Sequence, residues 1–111
     1  MNSSVILGTT IRFYTSAPFA TVAGVATDPT EVVFGFQIGS GVVNQVTYGA
    51  PVSWGTIVRD SAGTYHIDIN TNDTSVGGPG IWTYVWAGTG TVQTRAEGQL
   101  EVVEPSIPIT F

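Results

Sequence analysis

The sequence feature that most restricts the fold is the alternation of large apolar and smaller or polar residues along three consecutive segments. A period of two matches a β-strand, in which successive side chains point to opposite faces, whereas an amphipathic helix repeats about every 3.6 residues. The sequence contains no helical stripe of useful length. We therefore predict three consecutive antiparallel strands, in the segments RDSAGTYHIDIN (59–70), GGPGIWTYVWAGTG (77–90) and QTRAEGQLEVVE (93–104).

The same period continues through the first half of the chain. It predicts a first strand over about 5–15, with Ile11 and Phe13 on one face and Arg12 and Tyr14 on the other. Further strands are predicted at 31–38, 42–48 and, more weakly, 54–59, after an irregular edge segment at 16–31.

About seven short strands, with turns roughly every 8–12 residues, are typical of an all-β sandwich. Trp82 and Trp86 share one face of their strand. We expect both in the core, because the centre of a sandwich needs one or two large aromatic side chains. The alternative is that Trp54, Trp82, Tyr84 and Trp86 form an exposed platform that stacks on sugars.

Composition limits the classes of partner. With 111 residues the chain forms one domain, and without cysteine it has neither disulfides nor a thiolate metal site. Three arginines and no lysine stand against eight carboxylates, for a net charge of -5. Because nucleic acids and anionic membranes bind clustered cations, we expect neither as a partner. The N-terminal residues lack the features of a signal peptide, so we expect synthesis in a cytoplasm.

The Asp-x-x-Gly-x-Tyr sequence before the first of the three segments predicts a structural corner. Immunoglobulin-like sandwiches contain a tyrosine corner, in which a Tyr hydroxyl bonds back to the backbone and fixes a crossover. Here we expect Asp60 to cap the turn, Gly63 to supply a positive φ and Tyr65 to enter the strand. The predicted fold is thus an immunoglobulin-like antiparallel β-sandwich of about seven strands, over residues 1–104.

Residues 105–111 are predicted to form an extended C-terminal arm. Its prolines, three positions apart, prevent it from continuing a β-ladder. Ile107, Ile109 and Phe111 alternate along it and are the predicted partner-binding residues. Since free apolar termini usually fray, we expect this arm to dock into a groove on its own domain or on a neighbour.

Two polar patterns could carry chemistry. His66 and Asp68 share a strand face, which could orient an imidazole as a general base, but a solvated face explains them better. The run DINTND at 68–73 offers oxygen ligands for Ca²⁺, but it lacks the glycine and glutamate of an EF-hand loop. The glycine-rich stretches at 77–80 and 88–90 precede strands and are expected to be hairpin turns. We predict no enzymatic activity, no cofactor and no metal site.

From Asp28 onward the chain resembles the small immunoglobulin-like proteins of the structural gene clusters of tailed bacteriophages. The resemblance runs over residues 28–102. Its blocks are Asp28-Pro29-Thr30-x-Val32, Val58-Arg59-Asp60-Ser61-x-Gly63-x-Tyr65, Gly80-x-Trp82-Thr83-Tyr84-x-Trp86-x-Gly88-Thr89-Gly90, Gln93 and Glu97-Gly98-x-Leu100-x-Val102.

This resemblance implies a β-sandwich component of the virion without an active site. The expected function is a head decoration or neck protein that binds the capsid shell, with self-association through the C-terminal arm as a further contact. The expected location is the virion, after synthesis in the host cytoplasm. The alternative is an immunoglobulin-like carbohydrate-binding or adhesion module that contacts the host surface.

Overall fold

A computed structural model describes residues 3–15 and 18–107. This part of the chain contains eight β-strands, and no helix in it is long and apolar enough to cross a membrane. The predicted all-β class is confirmed. The strands are β1 (Ser3–Ile6), β2 (Thr10–Tyr14), β3 (Glu31–Ile38), β4 (Asn44–Thr47), β5 (Val58–Ser61), β6 (Thr64–Asn70), β7 (Gly80–Thr89) and β8 (Thr94–Val103).

The strands form two sheets. One has five strands in the order β1-β8-β7-β3-β4, and the other has three in the order β2-β6-β5. All neighbouring strands are antiparallel except β1 and β8, which are parallel. Of the three strands predicted as consecutive neighbours, β7 and β8 form a long hairpin, but β6 belongs to the other sheet. The chain therefore crosses between the layers after β6.

The prediction of a single strand over 5–15 is wrong, because the chain changes sheets at Gly8. This glycine has a φ of 100°, which other residues rarely adopt. Its backbone N–H donates to the hydroxyl of Thr71 at 2.9 Å, and that hydroxyl donates to the carbonyl of Thr9 at 2.8 Å. Beyond the turn, the predicted faces are confirmed: Phe13 is buried and Tyr14 is exposed.

The strands predicted at 42–48 and 54–59 are shorter or displaced in the structure. Residues 48–57 form two tight turns, closed by bonds from Ala50 N to Thr47 O and between Val52 and Gly55. These turns end β4 at Thr47 and delay β5 until Val58. Residues 18–30 form no strand, as predicted for an irregular segment.

The core lies between the two sheets and is rich in aromatic rings. Trp82 stacks on Phe36 with centroids 4.6 Å apart and an interplanar angle of 4°, and its indole N–H donates to Gly78 O at 2.9 Å. Trp82 and Trp86 are 0% and 2% exposed, so their predicted core position is confirmed. Aromatic pairs of this kind contribute about 0.5–1.5 kcal/mol each beyond area burial. The aromatic core fixes the separation of the sheets.

Candidate functional site

The corner at Tyr65 is built around the carboxylate of Asp28. The Tyr65 hydroxyl donates to Asp28 Oδ1 at 2.7 Å, and the backbone N–H of Gly63 donates to the same oxygen at 2.9 Å. Arg59 forms an ion pair with Asp28, with Nη2 3.0 Å from Oδ2. The Asp28 carboxylate, on the segment before β3, therefore holds the β5–β6 hairpin in place through three contacts. The tyrosine hydroxyl bonds to a side chain here, whereas the sequence predicted a bond to the backbone.

These contacts change the ionisation of both acids. The hydrogen bond from Arg59, followed by those from Gly63 and Tyr65, lowers the pKa of Asp28 well below its usual range. Burial, followed by the bond to the Asp28 carboxylate, raises the pKa of Tyr65 to about 12. Both shifts favour the ionised Asp28 and the protonated Tyr65 at neutral pH, which is the arrangement that locks the corner.

The role predicted for Asp60 needs correction, whereas the turn itself has the expected conformation. Gly63 has a φ of 73° and Tyr65 lies in β6. Asp60, however, is exposed in β5, and its carboxylate oxygens lie 2.8 Å from Nδ1 of His66. The side chain that holds the turn is that of Asp28, 35 residues from Gly63 in sequence.

His66 and Asp68 have different partners in the structure. His66 pairs with Asp60, as described above, while Asp68 forms a two-pronged ion pair with Arg12 across β2 and β6. The hydrogen bond between Arg12 and Asp68 lowers the pKa of Asp68 and raises the pKa of Arg12. The Arg12–Asp68 ion pair and the His66–Asp60 contact therefore both link neighbouring strands of the three-stranded sheet.

The oxygen atoms of the DINTND run are used in local turns. The side chain of Asn70 accepts a bond from Asn72 N at 3.0 Å. The Asp73 carboxylate accepts from the backbone and the hydroxyl of Ser75, which lowers the pKa of Asp73. Within residues 3–15 and 18–107, no three His, Cys, Asp or Glu side chains are grouped so that they could hold a metal ion.

The aromatic residues considered as a sugar platform are dispersed. Trp82 and Trp86 are in the core, and Tyr84 packs on Phe13 with centroids 4.9 Å apart. Trp54 is half-buried and meets Phe36 edge-on at 5.2 Å. These four rings therefore do not form one exposed surface.

The outer face of the five-stranded sheet has an uncharged centre. Residues directly opposite in antiparallel strands share a face, so Val33, Gly35 and Gln37 lie beside Ala87, Val85 and Thr83. Charged residues lie around this centre, at the end of β3 and along β8. The uncharged face consists of Val33, Gly35, Gln37, Gln45, Thr47, Ile81, Thr83, Val85 and Ala87, and the charged rim of Glu31, Arg95, Glu97 and Glu101.

The structure describes only the first part of the predicted arm. Ile107 is 72% exposed, four residues beyond the end of β8. The other two predicted arm residues, Ile109 and Phe111, lie outside the described residues.

Comparisons with known proteins identify the fold. No protein-family model and no curated protein matches this chain. Among solved structures, it is similar to the crystal structure of the ZIG-8 IG1 homodimer, with 13% sequence identity and a TM-score of 0.53. The match covers 93% of this chain and 78% of that chain. At this identity the likeness shows the fold alone, and the predicted immunoglobulin-like β-sandwich is confirmed.

Sequence reasoning missed the central role of Asp28. Asp28-Pro29 stands in the resemblance block ahead of β3, but the partners of Asp28, namely Arg59, Gly63 and Tyr65, are more than 30 residues away. The available signal was that Asp28 and Arg59, one of only three arginines, both stand in blocks that carry the resemblance. It could not show which carboxylate pairs with Arg59.

Proposed function

We propose that this chain is a non-enzymatic structural component of a tailed-bacteriophage particle, which decorates the head or neck by binding capsid or neck proteins. The observation that carries the proposal is the uncharged face of the five-stranded sheet. The specific assignment to a phage particle draws on the sequence resemblance of residues 28–102.

The composition of this face suits a protein contact. An antiparallel sheet with one side in water normally presents alternating polar side chains there. In this domain, partly exposed Val33, Val85 and Ala87 lie in the uncharged part of the face, and its charges lie at Glu31 and along β8, where Glu97 and Arg95 stand opposite Val85 and Ala87. Depletion of charge at the centre with a polar rim is the usual layout of a protein–protein interface.

The geometry of the face also suits binding rather than catalysis. Val85 lies opposite Gly35, where the nearest atoms to an added Cβ would be Asn44 O, Gln45 Cγ and Val85 Cγ1 at 3.4–3.5 Å. Gly35 itself is buried, so the neighbouring side chains of Gln45 and Val85 form the surface at this point. The fold neighbour is itself described as a homodimer, which supports the use of this fold for protein contacts.

The proposal is tested by co-sedimentation of the purified chain with phage particles assembled without it. Val85→Glu places a charge at the centre of the uncharged face, and burying that charge without a partner is costly. We expect particle binding to weaken by at least about tenfold. Thr83→Glu, on the same face, should act in the same direction with less risk to the fold.

The matched control is Val22→Glu, which introduces the same charge at a fully exposed loop position outside the face. It should bind particles like the unmodified chain. Wild-type binding that survives both Val85→Glu and Thr83→Glu would refute the uncharged face as the attachment surface. Glycan binding that is lost on Trp54→Ala, with the fold intact, would favour the carbohydrate-binding alternative.

A further inference from the structure

A groove opens between the two sheets at the edge formed by β2 and β8. It has a volume of about 420 Å³, and its lining combines core aromatic side chains with polar and charged residues of β2 and β8, among them Arg12 and Glu97. Phe13, Tyr84, Trp86 and Leu100 form its floor and walls. The groove is distinct from the uncharged face, since these four side chains point between the sheets.

Both strands that border the groove have an unpaired edge within the described part of the chain. β2 is the outer strand of the three-stranded sheet and pairs only with β6. β8 pairs with β7 along its length, but β1 covers its other edge only from Leu100 to Val103. Among the described residues, no strand pairs with the outer edge of Thr94–Gln99, and this edge lies beside a groove with an aromatic floor, which is the arrangement that accepts an added strand.

Two features of the side chains in the groove indicate that a further segment can pack there. Thr94 and Ala96 lie on the same face of β8 as Leu100 and Val102, yet both are exposed while the other two are in the core. Trp86, which is 2% exposed and lines the groove, has an indole Nε1 with no hydrogen-bond acceptor among the described residues. Buried donors of this kind usually have a partner, and the backbone carbonyl of an added strand would supply one.

We propose that this groove binds the C-terminal arm, residues 105–111, of a second copy of the chain. In an extended arm, Ile107, Ile109 and Phe111 would all project to one side, which suits a groove lined by aromatics. The backbone N–H and C=O groups of these three residues would also face the same neighbouring strand, the Thr94–Gln99 edge of β8. Pro108, which has no N–H, would face the opposite edge, where a proline is tolerated in an added strand.

The arm of the same copy is poorly placed to fill the groove. The arm leaves β8 at Val103, and β1 occupies the β8 edge from Leu100 to Val103. An arm that turned back would have to pass this paired region, which is about 10–13 Å long. Because an extended chain advances about 3.3–3.6 Å per residue, an arm that turned back would use three to four residues beyond Ile107 to pass β1 before it reached Thr94–Gln99, whereas the arm of a second copy can approach this edge directly.

The contact would join copies of the chain without using the uncharged face. Each copy offers one groove and one arm, so copies would associate head to tail or by reciprocal exchange of arms. The arm–groove contact is therefore a second attachment, between neighbouring copies, in addition to any contact with a capsid.

The test is the self-association of the full chain, measured by sedimentation velocity over a range of concentrations. Phe111→Asp charges the arm, and Ala96→Trp fills the groove at a position that is already exposed. Each should raise the dissociation constant of self-association by about tenfold or more. The matched control is Ala50→Trp, at an exposed position next to β4, which should associate like the unmodified chain.

The indole N–H resonances give a second readout. On association, the Nε1–H signal of Trp86 should shift, while that of Trp82, already bonded to Gly78 O, should not. A chain that stays monomeric at all concentrations would overturn the proposal, as would association that is unaffected by Ala96→Trp. Val85→Glu should leave self-association unchanged, so failure of this contact and failure of particle binding are distinguishable.

Discussion

Replacing Gly63 by alanine should destabilise the domain far more than the same change at another glycine with positive φ. Gly63 has a φ of 73°, and a Cβ built there collides with the carbonyl oxygen of Phe19 and lies 3.1 Å from its nitrogen. Gly49 has a φ of 89° but has no atom within 4 Å of an added Cβ. Gly49→Ala is therefore the control that isolates the cost of the backbone conformation.

The expected difference follows from the contacts of Phe19. Alanine in the left-handed region costs about 1–2 kcal/mol at either glycine. At Gly63 the backbone of Phe19 must also move, which strains the bonds Phe19 N to Gly63 O at 2.8 Å and Thr27 N to Phe19 O at 2.9 Å. Each such bond contributes about 0.5–1.5 kcal/mol. We expect a loss of about 3 kcal/mol for Gly63→Ala and about half of that for Gly49→Ala.

The assay is urea unfolding followed by tryptophan fluorescence, with the free energy of unfolding extrapolated to water. The unfolded-state effect of alanine is the same for both variants, so their difference reports the collision with Phe19. Equal losses in the two variants would refute the claim that the segment containing Phe19 is packed against the corner.

Two further predictions concern the ionisation of the corner. The pKa of Tyr65 is raised to about 12 in the folded domain, from about 10 in the unfolded chain, so its stabilisation is intact below pH 10 and is lost as the pH rises towards 12. Unfolding measured across this range should show a decline in stability that Tyr65→Phe reduces; an identical decline in that variant would contradict the assignment. The pKa of Asp28 is lowered on folding, so its contribution is present above pH 4 and is lost as the pH falls further. Asp28→Asn should therefore flatten the acid limb of the stability profile, and an unchanged limb would show that Asp28 does not contribute to it.

The sequence was sufficient to predict the parts of the fold that depend on local alternation. Phe13, Trp82 and Trp86 face the core as their period of two predicted, and β7 and β8 form a hairpin whose turn begins at Gly90, the last residue of the predicted Gly-Thr-Gly stretch. These features depend on side-chain parity within one strand or across a short turn. This alternation can be read from neighbouring residues, and the folded structure keeps it.

Features that depend on long-range pairing could not be predicted from one sequence. The change of sheet at Gly8 is fixed by Thr71, which is 63 residues away, and Asp28 meets Tyr65 across 37 residues. The described part of β1 is aligned with β8 from Leu100 onward, beside the groove, and strand register between distant segments is not encoded in a local pattern. The sequence predicts the alternating apolar residues of the arm, but it does not show the groove that would bind them.

The central proposal is that this chain is a structural component of a phage particle. The most direct measurement is the amount of this chain in purified virions, by quantitative mass spectrometry against the major capsid protein. The account predicts a fixed ratio that is constant between preparations, high for a head decoration protein and low for a ring at the neck. Purified virions that do not contain the chain would contradict it.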